Sequence, residues 1–129
     1  MGWGQKRLLV LLRIGASAQT MAEFNSCFEY DIYVPTADRD GVRYENPELE
    51  VIRKELTDYF GGLTDTKYRN EGLWKVGSVT VRDEIVIWRV LSDKGGEGDE
   101  MIAKVKAQLE RCLAQELVMV VKRSVSSFR

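Results

Sequence analysis

Few residues in this chain of 129 could carry chemistry, and none of them is histidine. The most frequent metal ligand is therefore missing, and with it the side chain that titrates nearest neutrality. Acid–base work would fall to carboxylates, tyrosines, lysines or cysteines with displaced pKa values. The densest group lies in "CFEYDIYVP" (27–35), where Glu29, Asp31 and Tyr33 alternate with Phe28, Tyr30, Ile32 and Val34. On a strand the first three share a face, with Glu84 a candidate neighbour across the sheet. Two carboxylates held together could raise one pKa or bind a cation. The plainer reading makes them a polar face, or partners for Arg82 and Arg89. No metal and no cofactor is expected.

Other motifs reduce to structure. "DRDG" (38–41) resembles the start of a calcium loop, but aligning Gly41 places Thr36 at the first ligand and Pro47 where the bidentate glutamate belongs. A turn is the expectation. "GGEGD" (95–99) precedes a helix start, where a phosphate could sit, yet Glu97 and Asp99 would repel it. Nineteen basic residues against twenty acidic ones give a net charge of −1, which leaves no excess to neutralise a nucleic-acid backbone. Cys27 and Cys112 have no ligand spacing, so free thiols in a reducing, cytoplasmic setting are expected. No stretch is long and apolar enough to suggest a membrane span.

The elements that must position these residues follow from periodicity. Residues 27–35 alternate with period two and end at a proline, as a strand does. "NPELEVIRKELTDYF" (46–60) reads as a helix capped by Asn46, with Pro47 at its first position and Leu49, Ile52 and Leu56 on one stripe. Gly61 suits the left-handed position that closes a helix, and Gly62 allows a sharp turn. A second strand is expected from Thr64 through Trp74, then a turn at Gly77-Ser78 into "VTVRDEIVIWRVLS" (79–92). A loop over 93–99, a helix capped by Asp99 and a buried strand over 116–123 complete the pattern.

The order β-α-β-β-α-β predicts an α+β, ferredoxin-like domain: a four-stranded antiparallel sheet with two helices on one face. Phe28, Tyr30, Ile32 and Val34 should then face the helices. On the third strand, Ile85, Ile87 and Leu91 look like the core set, which places Trp88 beside Tyr33 on the open face with Val86 and Val90. So apolar a face invites a second copy, giving a homodimer through the open sheet face, and Trp88→Glu should break it. The glycine corner and Trp74 either terminate the helix and bury an indole, or line a pocket with Tyr33 and Trp88 as walls. The candidate ligand-binding set is thus Glu29, Asp31, Tyr33, Gly61, Gly62, Thr64, Trp74 and Trp88.

"FGGLT" (60–64) and "EGLW" (71–74), followed by "DEIVIW" (83–88), resemble a signature of small bacterial and archaeal proteins built on a domain of unknown function. The likeness runs from about Phe28 to Val121. It implies a dimeric ferredoxin-like unit of the α+β barrel type and marks Gly61, Gly62, Thr64, Gly72 and Trp74 without giving them roles. Residues 1–20 read as an extension: an early start ahead of Met21, an added helix or strand, or a weak export signal. Residues 21–129 form one domain. The function expected is a homodimeric small-ligand-binding or interaction domain; the alternative is a cofactor-free enzyme using carboxylate and tyrosine acid–base groups.

Overall fold

A computed structural model describes residues 7–14, 18–38 and 40–128, with side chains from residue 24 onward. The elements are β1 (Arg7–Ile14), β2 (Ala18–Pro35), α1 (Glu48–Phe60), β3 (Thr64–Asp65), β4 (Asn70–Val76), β5 (Val79–Ser92), α2 (Gly96–Cys112) and β6 (Val120–Phe128). The fold is α+β. Six strands rather than four make one sheet, and every pairing in it is antiparallel.

The long strand β2 organises the sheet. It starts at Ala18, well before the expected Cys27, and its first half pairs with β1. Phe24 and Asn25 are matched with both β1 and β6, whereas Phe28 through Ile32 are matched with both β5 and β6. A strand has only two edges. So β6 runs along one edge of β2, and β1 and β5 lie end to end along the other.

β3 and β4 are two pieces of the single strand expected after the glycine corner. Between Asp65, opposite Trp88, and Asn70, opposite Ile85, five steps on this strand cover three on β5. The surplus forms a bulge that holds Lys67 at φ 56°.

Local chemistry sets the helix limits. Asn46 Oδ1 accepts the Glu48 amide at 2.9 Å, and Pro47 already has helical angles, as the cap reading required. Gly61, at φ 83°, ends α1 with its amide on the Thr57 carbonyl. The second helix begins earlier than expected. Gly95 adopts φ 58°, α2 starts at Gly96, and Asp99 falls inside the first turn instead of capping it. Its close approach to the sheet requires Gly98: a Cβ there would lie 2.6 Å from Ser92 Oγ.

Both helices pack on one face of the sheet. Ile52 and Leu56 of α1 and Ile102, Val105 and Leu109 of α2 meet Tyr30, Ile32 and Val34 of β2, which is the expected face for that strand. The third strand has the opposite parity to the one expected. Trp88 is opposite Ile32 and Val90 opposite Tyr30, so both point into the core, where Trp88 is 3% exposed. Arg89, opposite Asp31, is the residue that points away. The indole prevails because a guanidinium inside this core would lose its hydration with no carboxylate to meet it. The last strand is also displaced. It spans 120–128 instead of 116–123, takes in the supposed tail, and lies at the sheet margin, where among the described residues it pairs with β2 alone.

Candidate functional site

The register that sends Tyr30, Ile32 and Trp88 inward sends Glu29, Asp31 and Arg89 to the helix-free face. β6 adds Arg123 there, opposite Glu29. The four charges form a closed group. Arg89 grips Asp31 with two bonds, Nε to Oδ1 at 2.7 Å and Nη2 to Oδ2 at 2.8 Å. Arg123 donates to the same Oδ2 from Nη2 at 2.8 Å. Glu29 Oε1 lies 3.1 Å from Arg89 and 3.3 Å from Arg123. Fork-on-carboxylate contacts of this kind are the strong form of ion pair. They leave Asp31 1% exposed on a face that no helix covers. The two guanidinium groups are its roof.

The electrostatics follow from that geometry. The bonds from Arg89 hold the Asp31 carboxyl below its usual range; burial opposes them, and the Arg123 charge adds to them. The same contact pushes the Arg89 guanidinium up. In this group Glu29 and Asp31 each face both arginines. The plain reading of Glu29 and Asp31 as arginine partners describes this arrangement, except that Arg82 pairs with Glu71 and Arg123 takes its place. Arg123 lay in the expected last strand; its two-residue offset from Val121, the neighbour of Asp31, is the signal that places it here.

A second polar group sits on the helix side, at the start of α2. The buried Tyr30 hydroxyl donates to Asp99 Oδ1, and Lys122 Nζ lies 2.9 Å from the same oxygen and 4.0 Å from the centre of the Phe28 ring. Burial, then Asp99, raise the Tyr30 pKa; the Tyr30 bond, then Lys122, lower that of Asp99. Asp99 thus occupies the helix start from within the chain.

The other expected residues do not converge. Tyr33 is half-buried on the helix-free face, opposite Ile87. Trp74 is opposite Val81, which puts it on the same face but out on the β4–β5 hairpin. Its indole lies against Gly72, where a Cβ would be 3.1 Å from Nε1, and that nitrogen is buried without a partner. Gly61 ends α1, Gly62 has open space around it, and Thr64 starts β3 opposite Arg89. Trp88 is core, as the inverted parity dictates.

A shallow cleft of about 140 Å³ opens at the far end of the face, between Asn25, Cys27, Ser92, Asp93 and Ser127, with Phe60 and Leu91 beside them. It marks the place where β1 has ended and β5 has not begun along β2. None of the expected site residues borders it. Among the described residues no cluster of three or more metal-ligating side chains occurs, and no helix is long and apolar enough to cross a membrane. No known protein family matches the chain, and no curated protein or solved structure matches it.

Proposed function

We propose that this chain is a homodimeric interaction domain without catalytic chemistry of its own, offering its helix-free face to a partner or small ligand. One observation carries the non-catalytic part of the reading. Among the described residues, each displaced titration is displaced away from neutrality. Asp31, Asp99 and Glu110 are held low by Arg89, Tyr30 and Lys106. Tyr30 and Cys112 are held high by burial, and Arg89 by Asp31. General acid–base catalysis asks for the opposite, a group brought toward the working pH. The enzyme alternative would use space between helices and sheet, and Tyr30, Ile32, Trp88 and Leu109 fill that space.

The segment from β2 to β6 is read as a ferredoxin-like unit, with strand order β6-β2-β5-β4 and β1 as an N-terminal addition. The likeness of 60–64 and 71–74 to proteins of unknown function is compatible with that reading and silent on chemistry. The face-to-face dimer rested on Trp88 and Val90 pointing outward, so a two-fold contact is better sought elsewhere on the sheet. Light scattering across a concentration series tests the dimer: the expected mass is twice 14.7 kDa. A chain that stays at the single mass throughout would end the homodimer reading. A carboxyl or thiol found by NMR to titrate between about pH 6 and 8 would end the non-catalytic one.

A further inference from the structure

We infer that two copies join edge to edge along β6, antiparallel about Ser124, making one continuous sheet. This rests on the homodimer reading and names its contact.

Besides β1 and the β1-paired start of β2, whose outer edges are also open among the described residues, the sheet ends at β6 on one side and at β3–β4 on the other, and these two margins differ. An exposed edge offers a row of unpaired backbone groups and must be blunted or filled. The β3–β4 margin is blunted by its bulge and by Lys67 at φ 56°. β6 is a regular strand over nine residues with no bulge and no proline, and among the described residues its outer side pairs with nothing. Charged side chains often guard such an edge. Here the guards are disarmed, since Lys122 is held by Asp99 at 2.9 Å and Arg123 by Asp31 at 2.8 Å.

Backbone direction selects the pairing residues. The Met119 carbonyl accepts the Tyr33 amide, so position 119 points toward β2. Alternation then turns the backbone groups of Val121, Arg123, Val125 and Ser127 inward, and those of Val120, Lys122, Ser124, Ser126 and Phe128 outward. A two-fold axis at Ser124 sets Ser124 against its own copy, Lys122 against Ser126 and Val120 against Phe128. Outward groups meet outward groups at each step. On the other face Arg123 meets Val125. No like charges are opposed, and Phe128, 55% exposed in the single chain, gains an apolar neighbour. The axis that relates antiparallel neighbours is perpendicular to the sheet. All four helices therefore stay on one side, and the two Asp31 clusters share the other.

The test is Ser124→Pro. Proline removes an outward N–H and leaves the β2–β6 ladder intact, so a folded monomer is expected where the wild type is a dimer. Hydrogen exchange on the wild type needs no variant. The Ser124 and Ser126 amides should be protected at dimer-forming concentration and exposed on dilution, while those of Arg123 and Val125 stay protected in both. A Ser124→Pro chain that remains dimeric, or a Ser124 amide unprotected in the dimer, would overturn the edge contact and leave the homodimer reading standing. A wild type that never dimerises would overturn both. Protection that requires an added foreign strand peptide would show the edge to serve another partner, and would overturn the self-pairing.

Discussion

Trp88→Ala discriminates between the two parities of β5 by the size of its effect. Trp88 is 3% exposed and sits among Ile32, Leu56 and Val90, with the Arg53 guanidinium 6.0 Å from its ring centre. Truncating a buried tryptophan removes its transfer energy and leaves a cavity that neighbours fill only in part, which costs about 3–5 kcal/mol. Domains of this size are stable by only about 5–15 kcal/mol, so about a fifth or more of the total is at stake. The melting temperature should fall by roughly 9–25 °C, at roughly 3–5 °C per kcal/mol for this length. Had Trp88 stood on the helix-free face, the change would stay within about 1 kcal/mol. Urea unfolding followed by far-UV circular dichroism reads the difference, with an unchanged slope showing that the native state is still compact. A loss below about 1 kcal/mol at constant slope would refute the inward assignment and, with it, the placement of Arg89 beside Asp31.

Asp31→Asn should cost about 1–3 kcal/mol at neutral pH, because a buried partner is lost while both arginines can still turn toward water. Its folded pKa is depressed, so the stability it adds is complete above the ordinary carboxyl value near 4 and vanishes as pH falls through the folded one. Acid titrations of stability should therefore fall less steeply below about pH 4 in the variant, and parallel curves would contradict the cluster. Gly61→Ala should cost about 1 kcal/mol in the same unfolding assay, since φ 83° strains any side chain. Gly62→Ala, in open space at an ordinary angle, should stay within about 0.5 kcal/mol; equal losses would mean that both glycines serve something other than the turn. Gly98→Ala should destabilise by about 1–3 kcal/mol through its clash with Ser92 Oγ, and Ser92→Ala in the same chain should recover part of that loss.

Much of this fold was legible in local pattern. Asn46, Pro47 and Gly61 fixed both ends of α1 through chemistry confined to a few neighbouring residues. The period-two run from Phe28 to Val34 gave β2 its face, and the limits of β5 at Val79 and Ser92 agree with the reading. What escaped depended on partners distant in sequence. Both faces of β5 carry apolar residues, so alternation alone could not choose between Ile87 and Trp88. The choice is made by Asp31, whose carboxylate needs a cation opposite and finds Arg89 only in one register. The start of α2 was misplaced because Asp99 looks like a cap in sequence, while in space Tyr30 and Lys122 claim its carboxylate. The sequence points to an interior β6 because 117–121 is apolar. Val118 is indeed buried, but it is buried ahead of the strand, its amide held by Glu110 across the turn from α2.

These misplacements share one physical origin, and it bears on function. The helix-free face was expected to be apolar and to need a cover. Instead Arg89 and Arg123 fold over Asp31 and cover it from within the chain, which removes the drive for a second sheet to stack there. In the edge pairing proposed above, the contact falls to the backbone of β6, where the same ion pairs that neutralise Arg123 also offset the charge that would keep another strand at a distance. Face and edge are thus linked through a single residue. Removing Asp31 should leave Arg123 with only its 3.3 Å contact to Glu29, loosen the guard's restraint and, if the proposed edge pairing holds, weaken association as well as stability, although Asp31 itself lies beneath the roof.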